Sequence, residues 1–166
     1  DVTTDKPEKS LIISRKNKAG RNGGKIAVRH QGGGHKKFIR EVDFTRSRYD
    51  IPATVKSVEY DPNRGARISL VTYKDGVKSY VLTPDGMKVG DVIVSSLTEA
   101  EILPGNRLPL QKIPVGTTIH SVELAPGKGG QLGHGAGSRI EFMAIEDDFA
   151  VIKLPSGETR RVPKGC

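Results

Sequence analysis

The sequence predicts a mainly β protein: two small barrels behind an extended, basic N-terminal arm. Three observations lead there. Short runs rich in β-branched and aromatic residues recur between turn residues from Phe38 onward, no stretch carries the apolar period of a helix longer than a turn or two, and the positive charge is gathered at one end. Between Leu11 and Arg48 stand eleven Lys or Arg against two acids, Glu41 and Asp43, which gives that stretch a formal +9 in a chain of net +8. Everything outside it is therefore close to neutral. A surplus so focused makes a field that gathers polyanions, whereas an even spread would serve only solubility.

Residues 1–36 are the predicted arm. From Asp1 to about Gly34 the pattern is polar and glycine-broken, with Leu11-Ile12-Ile13 and Ile26-Ala27-Val28 as its apolar islands. That is too little to offset roughly 1 to 2 kcal/mol of backbone entropy per ordered residue, so the arm is expected to stay disordered until it meets a partner. Its densest part, GRNGGKIAVRHQGGGHKKFIREVDF from Gly20 to Phe44, combines cations with repeated glycine. Beyond Arg15, Lys16 and Lys18, the cations Arg21, Lys25, Arg29, Lys36, Lys37, Arg40, Arg46 and Arg48 are the candidates for neutralising phosphates. Gly32, Gly33 and Gly34 would let a backbone come close. His30 and His35 read either as hydrogen-bonding neighbours of phosphate or sugar, or as solvated loop residues.

Residues 37–100 are the first predicted barrel, with strands at Phe38–Phe44, Thr54–Tyr60, Ala66–Tyr73, Val77–Leu82 and Asp91–Ser95. Asp61-Pro62-Asn63, Asp75-Gly76 and Asp85-Gly86 supply turns, the second as a two-residue hairpin. Five short strands joined to a basic arm make the oligonucleotide-binding fold the natural candidate, although Val55 and Val58 fall on opposite faces of a regular strand. Residues 101–116 hold Pro104, Gly105, Pro109, Pro114 and Gly116, a density of breakers that predicts a linker. In residues 117–166 the runs Thr117–Leu124, Ser138–Glu146, Phe149–Leu154 and Glu158–Val162 predict a second small barrel, turned at Asp147-Asp148 and Pro155-Ser156-Gly157.

Composition narrows the function classes. Aromatic residues make up 5% of the 166 and Trp is absent, so backbone contact with a nucleic acid should outweigh base stacking. The sole cysteine, Cys166, excludes an intrachain disulfide and fits a reducing interior. No apolar run approaches the roughly 20 residues that cross a bilayer, and the start DVTTDKPEKS has no targeting pattern; a soluble chain without a membrane partner is expected.

The glycine loop from Ala125 to Gly137 invites a nucleotide reading. However, Lys128 is followed by Gly129, no glycine stands five residues before Gly127, and Ser138 occupies the third glycine position of the dinucleotide fingerprint. What survives is a backbone-level contact with nucleic-acid phosphate through Lys128, Gly129, Gly130, Gln131 and His134, or a flexible connection. No paired cysteines or second His pair offers a metal site, and Ser138, Ser156 and Cys166 lack the setting of a nucleophile. Neither catalysis nor a cofactor is expected; any magnesium would belong to the bound RNA. Arg64, Arg107, Arg160 and Arg161 extend the candidate footprint.

Four ordered blocks carry a resemblance: Gly20 to Phe44, VEYDPNRGARISLVTYKDG (Val58 to Gly76), PVGTTIHSVELAPGKGGQL (Pro114 to Leu132) and LPSGETRRV (Leu154 to Val162). Together they resemble the large ribosomal subunit protein two family, of the bacterial and organellar type, over nearly all of the chain from Leu11. The resemblance implies an arm, an oligonucleotide-binding-fold barrel and a Src-homology-3-like barrel lodged in large-subunit ribosomal RNA beside neighbouring ribosomal proteins. It also implies roles in assembly, subunit association and support of the peptidyl transferase region. A soluble translation factor visiting the ribosome is the alternative.

Two departures stand out. Gly133-His134 replaces the family's usual Ala-Arg, exchanging a fixed cation for one that titrates. The chain also stops before the family's basic extension, as a split gene, a second polypeptide completing the fold or an unseen tail would each explain. The first two favour a mitochondrion or other organelle over a bacterial cytoplasm.

Overall fold

The computed structural model describes residues 2–14 and 19–166, so Arg15, Lys16 and Lys18 of the basic segment lie outside the described residues. The N-terminal part contributes β1 (Ile12–Ser14), β2 (Arg21–Asn22), β3 (Lys25–Ile26) and β4 (Phe38–Arg40). The first barrel is built on β5 (Ala53–Glu59), β6 (Ile68–Tyr73), β7 (Lys78–Leu82) and β8 (Val92–Ile93), and the second on β9 (Thr118–Ile119), β10 (Ile140–Glu146), β11 (Phe149–Lys153) and β12 (Thr159–Pro163). Apart from the 3-10 turns Lys9–Leu11 and Leu110–Lys112, the described residues hold no helix. The architecture is that of an oligonucleotide-binding-fold barrel followed by a Src-homology-3-like one.

The first sheet runs β7-β6-β5-β8, all antiparallel. Its β5–β6 ladder slips between Val55 and Ser57. This bulge resolves the irregular alternation of the sequence: one extra residue, Lys56, re-aims the strand so that Val55 and Val58 are both buried. Ala53, Val55, Val71, Tyr73, Val81, Met87 and Ile93 form the core. The hairpin turn at Asp75-Gly76 is as expected, with Gly76 at φ +86°.

Residues 2–14 correct the expectation of a disordered leader. The Thr3 N–H donates to the Val58 carbonyl at 2.9 Å, the Val58 N–H returns to Thr3 Oγ1 at 2.9 Å, and Thr4 bridges Glu59. Further on, β1 pairs with β4, whose continuation Val42 bridges Tyr80 on β7. One segment thus covers the stretch of β5 that β8 leaves unpaired and joins the strand that covers the open edge of β7, which gives hydrogen bonds to backbone that would otherwise stand bare. A polar latch completes the contact. Glu8 pairs with Lys78 at 2.7 Å, and its N–H reaches Tyr80 Oη at 2.8 Å. Tyr80 in turn donates to the buried Glu59 carboxylate at 2.7 Å, which also accepts from Ser57 Oγ at 2.8 Å. Burial, reinforced by the Glu59 hydrogen bond, holds the Tyr80 hydroxyl protonated far above the ordinary tyrosine range.

The second sheet runs β12-β11-β10-β9 over a core of Leu110, Val122, Ile140, Phe142, Ala150, Ile152, Val162 and Cys166. Pro163 closes β12 at the sheet edge, where its missing N–H costs no ladder bond. The proline-rich segment 101–116 is packed on both bodies. Arg107 bridges Ser95 of the first, while Leu110 enters the second core and donates its N–H to the Cys166 carbonyl at 2.8 Å.

Removing the Tyr80 hydroxyl tests the latch. Tyr80→Phe leaves the buried Glu59 carboxylate short of a donor, and the expected loss is about 1 to 3 kcal/mol, read as a lower denaturation midpoint. Proteolysis within residues 2–14 should quicken in the same variant, and unchanged stability would show that the network carries no weight.

Candidate nucleic-acid interface

The cations of the basic segment separate by what lies within reach of each. In the arm, Asn22-Gly23-Gly24-Lys25 makes a two-residue hairpin between β2 and β3, with Gly23 and Gly24 at φ +57° and +77°. The Gly20 carbonyl accepts from the N–H groups of Ala27 and Val28 at 2.8 and 2.9 Å. The chain passes so close there that a Cβ on Gly20 would sit 2.1 Å from the Val28 oxygen. Gly32 is likewise used internally, against Ala19, whereas Gly33 and Gly34 face open space. Around this loop Arg21, Lys25, Arg29, His30, His35, Lys36 and Lys37 are all exposed. None of its cations has an ion-pair partner among the described residues, although Lys36 lies over the Phe38 ring at 5.2 Å.

From Phe38 onward the candidates turn inward. Arg40 is buried where β4 pairs with β1, and its Nη1 donates to the Phe38 carbonyl at 2.9 Å, which turns the charge toward its own protein. Arg46 donates to the Gly105 carbonyl at 2.6 Å, and burial depresses its pKa. Arg48 pairs with Asp75 and lies over Tyr73. Arg64 pairs with the buried Asp61 at 2.7 Å, and Arg107 with the buried Glu123 at 2.7 Å. On the edge of the second sheet Arg160 and Arg161 stay exposed, beside Glu158 at 3.9 Å and Glu146 at 3.0 Å; pairs this exposed contribute little.

The glycine loop does bind an anion through its backbone, but the anion is internal. Glu123 accepts from the N–H groups of Gly127 at 3.1 Å and Gly129 at 2.8 Å. The Gly130 N–H donates to the Phe44 carbonyl at 2.9 Å, and the Gln131 N–H to Val122 at 2.9 Å. A Cβ on Gly130 would come within 2.6 Å of the Ser121 carbonyl oxygen. The N–H groups of Gly129 and Gly130, expected to face phosphate, thus have acceptors within the protein itself. Lys128 and Gln131 remain exposed on its outer side.

His134 stacks on Phe44 with centroids 4.4 Å apart and planes 15° off parallel, while Arg64 covers Phe44 at 5.6 Å. The ring is a packing element between the two barrels, and its buried Nε2 has no hydrogen-bond partner. Sequence reading missed Glu123 and Phe44 altogether. A carboxylate four and six residues ahead of two glycines was the available signal for the first.

No group of three or more His, Cys, Asp or Glu among the described residues is placed to hold a metal ion, and no helix is long and apolar enough to cross a membrane.

Comparison with known families adds two findings. Residues 8–95 match the model described as Ribosomal Proteins L2, RNA binding N-terminal domain. Residues 103–166 match the model described as Ribosomal Proteins L2, C-terminal domain.

Burial pushes both His120 and His134 below the ordinary histidine range; Arg46 adds to the effect at His120, while at His134 a hydrogen bond to the Gly130 carbonyl opposes it and Arg64 adds to it. Folded, they resist a proton that the unfolded chain takes up below about pH 6.5, so their contribution is intact above neutrality and is lost as pH falls. Denaturation midpoints should drop between pH 7.5 and 5.5, and a His120→Gln, His134→Gln double variant should flatten that drop. An equal drop in the variant would assign the effect elsewhere.

Proposed function

The chain belongs to the ribosomal protein L2 family, and we propose that within it the loop of residues 19–37 is the principal contact with ribosomal RNA. Membership makes the chain a structural, RNA-binding component of the large ribosomal subunit. The observation that carries the finer reading is the separation of charge. Arg21, Lys25, Arg29, Lys36 and Lys37 stand exposed with no acid in residues 19–37, beside four glycines, Gly23, Gly24, Gly33 and Gly34, with open space around them. Fixed cations without an acid to neutralise them keep their attraction for phosphate, and release of the counterions condensed on RNA drives the association.

Lys128, Gln131, Arg160 and Arg161 form a secondary, exposed set, while Arg40, Arg46, Arg48, Arg64 and Arg107 serve chiefly to hold the protein together. His30 and His35 neighbour the phosphate contacts as hydrogen-bonding groups. The paired barrels act as a rigid mount that sets where the loop enters the RNA, in keeping with roles in subunit assembly, in subunit association and in supporting the peptidyl transferase region. The chain itself needs no cofactor and performs no catalysis in this reading, since chemistry at that region is left to RNA.

Salt dependence is the direct test. Replacing Arg21, Lys25, Arg29, Lys36 and Lys37 together by Gln should reduce the slope of log affinity against log salt by about 4, at 0.7 to 0.9 per phosphate, in binding to large-subunit ribosomal RNA. Arg107→Gln should instead lower stability and leave that slope nearly unchanged. Equal slopes for wild type and the five-fold variant would reject the loop as the RNA contact.

A further inference from the structure

We propose that Tyr60, backed by Arg67, is a stacking platform for one unpaired base of RNA; the inference rests on the RNA-binding reading above and adds a contact of a different physical kind. Tyr60 is 56% exposed, more than Phe38 at 38% or Phe149 at 45%. The β5–β6 ladder ends at the pair Glu59 and Ile68, so Tyr60 and Arg67 are the next residues on facing strands. The Arg67 guanidinium lies 5.3 Å from the centre of the Tyr60 ring. Arg67 has no ion-pair partner among the described residues, which leaves its charge to the ring and to any phosphate beside it.

The turn that follows Tyr60 is fixed by hydrogen bonds. Asp61, fully buried, accepts from the Asn63 N–H at 2.9 Å, from Asn63 Nδ2 at 3.0 Å and from Arg64 Nε at 2.7 Å. Asn63 Nδ2 also donates to the Phe38 carbonyl at 2.7 Å, which ties the β5–β6 turn to the point where the basic loop joins the barrel. A strand of RNA held by Lys36 and Lys37 would leave the loop at Phe38, which is bonded to the turn that follows the Tyr60 ring and its cation. An aromatic ring paired with a guanidinium accepts the π-face of any base, but only where that face is bare. Duplex RNA hides its base faces, so the platform selects a single-stranded or bulged nucleotide.

The test uses the intact chain with two probes, a single-stranded oligoadenylate of about twelve nucleotides and an RNA duplex of similar length. Tyr60→Ala should weaken the oligoadenylate roughly 5- to 150-fold without altering the salt slope, and should leave duplex affinity within about twofold. Tyr60→Phe should retain the single-strand affinity, because the face and not the hydroxyl makes the contact. The inference falls if wild type fails to bind oligoadenylate, if Tyr60→Ala binds it as wild type does, or if both probes weaken alike. A five-fold loop variant that loses RNA affinity while Tyr60→Ala does not would remove this inference and leave the RNA-binding reading standing. Unchanged affinity in the loop variant would remove that reading instead.

Discussion

The placement of the two barrels depends on one carboxylate. Glu123, only 4% exposed, takes the Arg107 guanidinium at 2.7 Å together with the N–H groups of Gly127 and Gly129. Arg107 belongs to the first body by its backbone, donating to Val94 and accepting from Ser96, each at 3.0 Å. Glu123 belongs to the second. A buried ion pair alone gains little once both charges are stripped of water, and it is the extra backbone donors that offset the cost. Those donors also fix the loop that follows, so that the Gly130 N–H meets the Phe44 carbonyl and His134 comes to rest on the Phe44 ring.

This constraint explains why one residue type does two jobs. Three arginines beyond the loop find an acid or a carbonyl of their own protein: Arg46 finds Gly105, Arg64 finds Asp61, Arg107 finds Glu123. In residues 19–37 no acid is present and the backbone curls on itself through Gly20, which leaves the cations facing outward. Backbone N–H groups in a glycine loop do make an anion site, but here the chain supplies the anion. A carboxylate inside the loop and phosphates outside the arm divide the two functions of positive charge, cohesion and capture.

The long strands were legible in the sequence because their signals are local. Alternation and turn residues place β5, β6, β7, β10, β11 and β12 to within about two residues of the predicted runs, with the hairpin at Gly76 as its Asp-Gly pair implies. Contacts that depend on distant partners were not legible. Thr3 meets Val58 across 55 positions, and Glu8 meets Tyr80 across 72; nothing in the leader's own composition announces either. The same holds for Arg40, which looks like its neighbours in sequence and is buried where β4 pairs with β1. Of the candidate interface, the exposed loop was readable from charge and glycine, while the fate of the glycine loop turned on Glu123, whose role appears only when Arg107 is brought to it.

The central claim is that the glycine loop is already occupied and the basic loop is not. Amide hydrogen exchange, measured on the chain alone and bound to large-subunit ribosomal RNA, tests it most directly. The amides of Gly129 and Gly130 should be slow in both states, and those of residues 33–37 fast in the free chain and slowed by RNA. Fast exchange at Gly129 and Gly130 that slows only when RNA is added, with residues 33–37 unaffected, would contradict the account.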